Sequence, residues 1–87
     1  MTDPNFKDDY KLIGSNIRKK RKALNLTQAQ LAKKSGEKVD YAKISDIERA
    51  QEDFQFSTLL KICRGLDISL LELITFDKRD VDKTNKK

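Results

Sequence analysis

Two stretches hold most of the side chains that could do chemistry. "RKKRK", residues 18–22, sets five cations side by side, with no acid from residue 11 to residue 22. Such a run suits phosphate, because neutralising a polyanion takes several cations on one face. Its plainer alternative is a solvated helix face. "DYAKISDIER", residues 40–49, has the opposite character: three carboxylates, Asp40, Asp46 and Glu48, stand against Lys43 and Arg49. The whole chain carries 19 Lys and Arg against 14 Asp and Glu, a formal +5, which favours an acidic partner. Acids gathered in a segment that faces such a partner each need an explanation.

Other chemistry is excluded by what is missing. The chain has no histidine, the commonest general base and metal ligand. Cys63 is the single cysteine, so neither a zinc site nor an internal disulfide can form, and a reducing compartment is expected. The three glycines are scattered and build no phosphate-cradling loop. No enzymatic activity, cofactor or metal is expected. No apolar run approaches the ~20 residues of a membrane span, and "MTDPNFKDDY" lacks the pattern of a signal peptide. The expected protein is cytoplasmic, with no membrane partner.

Eighty-seven residues make one domain. Composition divides it into a flexible N-terminal arm (1–7), a folded part (8–77) and a disordered basic tail (78–87, "KRDVDKTNKK"). Period-2 alternation is absent and helical spacing recurs five times, which predicts an all-α fold. The first helix starts at Asp8 or Asp9, which supply a cap and favourable charge, and runs to about Leu24 with Ile13, Ile17 and Leu24 on one face. Asn25 is its left-handed stop. The second, "TQAQLAKKSG", opens on a Thr27–Gln30 capping box, buries Leu31 and Ala32, and ends at Gly36. The third has Asp40 as its N-cap and only Ile44 and Ile47 as inward residues. The fourth starts at Ser57 and packs Leu59, Ile62, Cys63 and Leu66; the fifth opens on a Ser69–Glu72 capping box.

A short helix, a turn opened by a glycine, and a helix with little of its surface buried is the organisation of a helix-turn-helix. Here the residues carry a family likeness. "IGSNIRKKRKALNLTQAQLAKKSG", then "ISDIER" and "STLLKICRGLDISLLELI", resemble the phage-repressor and Cro-type (XRE-type) helix-turn-helix regulators, in particular restriction–modification controller proteins and small stand-alone repressors. The likeness covers roughly residues 10–76. It implies a five-helix, lambda-repressor-like DNA-binding domain with the motif at helices 2 and 3. It also implies a homodimeric transcriptional regulator acting on a two-fold-related stretch of double-stranded DNA, with its own operator as one candidate.

By position, the likeness assigns Gln28 to a phosphate or base-edge contact and places Tyr41, Ala42, Lys43 and Asp46 on the groove-facing side of helix 3. It pairs Arg21 with Glu48 as a structural tie. Two of the three acids are thereby explained: Glu48 is neutralised, and Asp40 sits on the positive end of a helix. Asp46 alone faces outward, where a carboxylate can accept from cytosine N4 and is repelled elsewhere. Affinity must then come from backbone contacts, for which Lys19, Lys20, Lys38 and Arg49 are the candidates.

The chain departs from the family pattern twice. Gly36 stands twelve residues before Glu48, so the turn "GEKVD" is about two residues longer than usual and brings Lys38 towards the DNA. Ala50 replaces the usual glycine after helix 3, which predicts a shifted stop and an atypical linker, "AQEDFQF".

Phe54, Phe56, Leu60, Ile68, Leu70, Leu71, Ile74 and Phe76 exceed what so small a core can bury. Ile68, Leu70, Leu71, Ile74 and Phe76 are assigned to a dimer interface around helix 5, with packing beneath Phe6 and Tyr10 as the alternative for some of the surplus. The other functional reading is a protein-interaction module on the same fold, such as an antitoxin, whose "ERAQED" and exposed apolar residues would hold a protein partner.

Overall fold

The structure, a computed structural model, describes residues 4–51 and 53–76. The tail at 78–87 and the first three residues of the arm lie outside that range. Residues 4–7, assigned to a loose arm, are helical: a 3-10 turn, Pro4–Phe6, runs straight into α1, Lys7–Ala23. α2 is Gln28–Ser35, α3 is Tyr41–Glu48, α4 is Phe56–Gly65, and α5 covers residues 70–76. No strand occurs among the described residues.

Local chemistry sets most of the helix ends. Thr27 Oγ1 accepts from the Gln30 amide at 3.0 Å while Gln30 Oε1 accepts from the Thr27 amide at 2.8 Å, so two otherwise unpaired donors are satisfied. Ser69 and Glu72 repeat this at 3.0 and 2.9 Å. Asp40 Oδ1 accepts from the Lys43 amide at 2.8 Å. The expected cap at Asp8 or Asp9 is absent. Phe6 holds that position without a side-chain bond, and both acids sit in the first turn, where they serve only the helix dipole. α4 likewise begins one residue before Ser57, behind Gln55, which makes no side-chain cap bond.

Three helices stop in the same way. After α1, α3 and α4 the chain enters the left-handed region at Asn25 (φ 60°), Ala50 (φ 55°) and Asp67 (φ 59°). In each case the next amide reaches back to the helix: Leu26 to the Arg21 carbonyl, Gln51 to that of Asp46, and Ile68 to that of Cys63, at 3.1, 2.9 and 3.1 Å. These are Schellman stops. Ala50 therefore keeps the stop where the family's glycine would put it, contrary to the shift expected from sequence. Its Cβ costs about 1 kcal/mol in this conformation.

The core draws on every helix. Ile17, Leu31, Ile44, Ile47, Ile62, Leu66 and Leu73 are all but fully buried, and Val39 of the long turn joins them. α2 packs on both α3 and α4, and α1 on α3. Cys63 is an unpaired core thiol whose pKa is pushed up by burial, which keeps it protonated. α5 is tied to α1 by a residue that helical spacing does not single out. Asn16 is completely buried and donates from Nδ2 to the Leu73 and Ile74 carbonyls at 2.8 and 3.4 Å.

The apolar surplus divides. Leu71 (71 % exposed), Phe56 (61 %), Leu60 (43 %) and Ile74 (41 %) remain open to solvent. Ile68, Leu70 and Phe54 pack against the protein's own core, Phe54 with its ring edge-on to Tyr10 at 5.2 Å between centroids. Phe76 is half-buried with Lys20 Nζ 5.9 Å above its ring.

Gly14 sets how closely α1 crosses the end of α3. A Cβ at this position would lie 2.8 Å from the Glu48 carbonyl oxygen and closer still to that of Ile47, both backbone atoms of a packed helix. Gly14→Ala is expected to destabilise the fold by about 2 kcal/mol although alanine is the better helix former. Urea unfolding checks this, and a stability unchanged or raised would show that the crossing yields easily.

Candidate nucleic-acid interface

The outward helix is built from α2, the turn and α3. The Thr27 box starts α2, Gly36 (φ 119°) releases the chain from it, and buried Val39 pins the turn before Asp40 starts α3. Only Ile44 and Ile47 of α3 are buried. With 3.6 residues per turn, Ala42, Ser45, Asp46 and Arg49 then lie on the side away from the core, and Tyr41 (63 % exposed) opens that surface at its N-terminal end.

The orientation of this surface is fixed at the far end of α3. Arg21 Nε and Nη2 grip Glu48 Oε2 and Oε1 at 2.6 and 3.0 Å, and Arg21 Nη1 donates to the Leu26 carbonyl at 2.8 Å. The carboxylate side chain is 2 % exposed. Gln28 Nε2 adds a bond to Glu48 Oε1 at 3.2 Å, so α1 and α2 meet α3 on one carboxylate, and Arg21 links the α1–α2 loop to it. The side-chain amide of Gln28, expected at a phosphate or base edge, is thus committed to the tie in the free protein.

The three acids of residues 40–49 are now accounted for. Asp40 caps α3, Glu48 belongs to the tie, and Asp46 Oδ1 accepts from Arg49 Nη2 at 3.2 Å. Two candidates from sequence therefore hold one another on the outward face. Lys43 does not share that face. It turns to the flank, where with Lys38 and Lys61 it lines a groove shared with Phe54, Gln55, Thr58 and one carboxylate, Asp53. Lys61 escaped sequence reading because its neighbours in the groove come from segments far apart in the chain.

"RKKRK" is split by its own helix. Arg21 is turned inward, Lys20 leans over Phe76, and Arg18, Lys19 and Lys22 are exposed. The linker after α3 is anchored by the Tyr10 hydroxyl, which donates to Asp53 Oδ1. That bond, with the Phe54 amide at 2.9 Å, holds the Asp53 carboxyl below its ordinary pKa. Among the described residues no cluster of three potential metal ligands occurs, and no helix is long and apolar enough to cross a membrane.

A helix-turn-helix family profile matches residues 17–73, the stretch that contains α2, the turn, α3 and the tie. The chain belongs to the XRE-type helix-turn-helix family. Members of this family are DNA-binding transcriptional regulators rather than enzymes. This helix-turn-helix protein is 34 % identical over 70 residues to the control protein C.SmaI of Serratia marcescens, covering 80 % of the present chain and 81 % of the relative. It is also 34 % identical over 68 residues to the uncharacterised HTH-type transcriptional regulator y4dJ of Sinorhizobium fredii, with 78 % and 86 % covered. Among solved structures it resembles the restriction–modification controller protein C.Esp1396I in a point-mutant and a wild-type form. TM-scores are 0.72 and 0.71 at 28 % identity, covering 85 % of this chain and 94 % of that one.

The tie makes a sharp stability test for this regulator. Arg21→Met keeps the length of the side chain but leaves the buried Glu48 carboxylate with Gln28 as its remaining side-chain partner. The expected loss is about 3 kcal/mol in urea unfolding, and adding Glu48→Leu should restore most of it. A loss below about 1 kcal/mol for Arg21→Met would place the pair with ordinary surface bridges.

Proposed function

We propose that the protein is a homodimeric controller that binds a two-fold-related operator, and that this operator lies upstream of its own gene. Each protomer inserts α3 into one of two successive major grooves, with half-sites about 34 Å apart. The observation that carries this reading is an outward α3 face whose orientation is locked by the Arg21–Glu48–Gln28 tie. Eight residues make about 12 Å of helix, comparable to the width of a major groove. The names of C.SmaI and C.Esp1396I, a control protein and a restriction–modification controller, support the same role.

In this arrangement Tyr41, Ala42, Ser45, Asp46 and Arg49 meet the groove. Lys38, Lys43 and Lys61 hold phosphates on one flank, and Lys19 and Lys20 add backbone contacts from α1. The backbone amide of Gln28, at the positive end of α2, adds a further phosphate donor. The dimer forms through exposed Leu71 and Ile74 together with Leu60, while Ile68, Leu70 and Phe76 support that surface from beneath.

A gel-shift titration with the DNA upstream of the gene, beside an unrelated fragment at about 150 mM salt, tests the reading. Retention at concentrations ~10³-fold lower than the control is expected. Lys38→Ala should weaken binding to both fragments alike and reduce the salt slope by about one. Equal, weak shifts of both fragments with the unsubstituted protein would sink the operator reading and turn attention to a protein partner, as for an antitoxin.

The dimer surface has its own test. Leu71→Asp should leave the helical content unchanged but lower the molar mass in sedimentation equilibrium to that of a single chain. An unaltered mass would move the interface away from α5.

A further inference from the structure

We infer that Asp46 and Arg49 act as one reading unit that selects a G·C base pair in each half-site, an assignment that rests on the operator reading above. The pair lies on the outward face of α3, three residues apart, with side chains 33 % and 62 % exposed. Its worth to the fold is small, as for exposed helical ion pairs of this spacing in general. The effect of the pair lies in what it leaves Arg49 able to do.

Arg49 Nε donates to the Ser45 carbonyl at 3.4 Å, and Arg49 Nη2 donates to Asp46 Oδ1 at 3.2 Å. These two bonds use the Nε–H and one N–H of Nη2, and they leave the terminal edge of this 62 % exposed side chain, with N–H groups on Nη1 and Nη2, for another acceptor. Two parallel donors of this kind match the N7 and O6 acceptors of guanine. The side chain is also held in place beforehand, so less conformational freedom is lost on contact.

Charge decides between a base and a phosphate as the target of that edge. A phosphate approaching Arg49 meets the Asp46 carboxylate within the same few ångströms and is repelled. A neutral base edge is not. Asp46 Oδ2 remains as an acceptor, and the chemical partner beside guanine that suits it is the N4 amino group of cytosine. An A·T pair keeps the N7 acceptor but turns an N6 donor towards Arg49 and a thymine O4 acceptor towards Asp46, so the wrong pair loses the bidentate geometry and the carboxylate's bond. The carboxylate therefore lowers attraction for DNA in general and raises discrimination.

Selection from a pool of random duplexes with the full chain supplies the probe. The selected duplex and its single-pair substitutions are then titrated by fluorescence anisotropy against the unsubstituted protein, Arg49→Ala and Asp46→Ala, at several salt concentrations. Circular dichroism verifies that the variants are folded. The expected result is one G·C pair per half-site whose change to A·T weakens the unsubstituted protein about 10- to 100-fold. Arg49→Ala should lose most of that factor on the selected duplex and keep only the weaker preference that the Asp46 contact supplies at that pair. Asp46→Ala should bind random duplexes more tightly, with a salt slope steeper by about one, and should discriminate less. Arg49→Ala weakening every duplex equally would make Arg49 a phosphate contact and overturn the inference. So would an Asp46→Ala protein with unchanged discrimination. If the unsubstituted protein enriches no sequence at all, the operator reading itself fails, and the reading unit with it.

Discussion

The arrangement turns on one buried carboxylate. Glu48 ends α3, yet its partners come from α1 (Arg21) and the first turn of α2 (Gln28), and Arg21 also reaches the loop carbonyl of Leu26 between them. A carboxylate this deep is costly unless every lone pair is used. The requirement to use them forces the three helices into one relative pose. An outward helix of eight residues has too few internal bonds to hold its own direction. Its aim is borrowed from that anchor, from the Ile44 and Ile47 contacts beneath it, and from the tight crossing at Gly14.

Short helices dominate the molecule, and tertiary packing compensates for them. α2 and α3 are two turns each, and both are fixed at their N-termini by side-chain caps. Three Schellman stops then reverse the chain without a glycine at any of the left-handed positions. Asn25 and Asp67 tolerate that conformation through their short polar side chains, while Ala50 carries a modest strain. The strain sits at the junction between the outward helix and its linker, where a shifted stop would have rotated the chain leaving α3.

Net charge alone would describe this surface poorly. Of the five cations in "RKKRK", one is structural and one covers an aromatic ring, while Lys61, outside both charged stretches, joins Lys38 and Lys43 in a groove. The acids on the outward segment are each engaged by a neighbour, so they subtract less from its field than a count suggests. What remains is a face in which neutral or paired groups lie along the helix and cations flank it. In a protein meeting DNA, that layout separates base contact from phosphate contact.

Sequence by itself determined the all-α class, the helix-turn-helix order and most helix ends. Capping boxes, Asn25 and the helical spacing of Ile17, Leu31, Ile44, Ile62 and Leu66 act over a few residues and are legible as patterns. The Arg21–Glu48 tie was legible only through family likeness, since the two residues are twenty-seven positions apart. Tertiary structure alone decided the rest. It turned Lys43 to the flank, paired Asp46 with Arg49, committed the Gln28 amide to Glu48, and buried Asn16 against the end of α5. It also left Leu71 and Ile74 exposed while drawing Ile68 and Leu70 into the core. The physical reason is common to all of these. Which side chain meets which depends on the rotation of each helix about its axis, and that rotation is set by packing between segments distant in the chain.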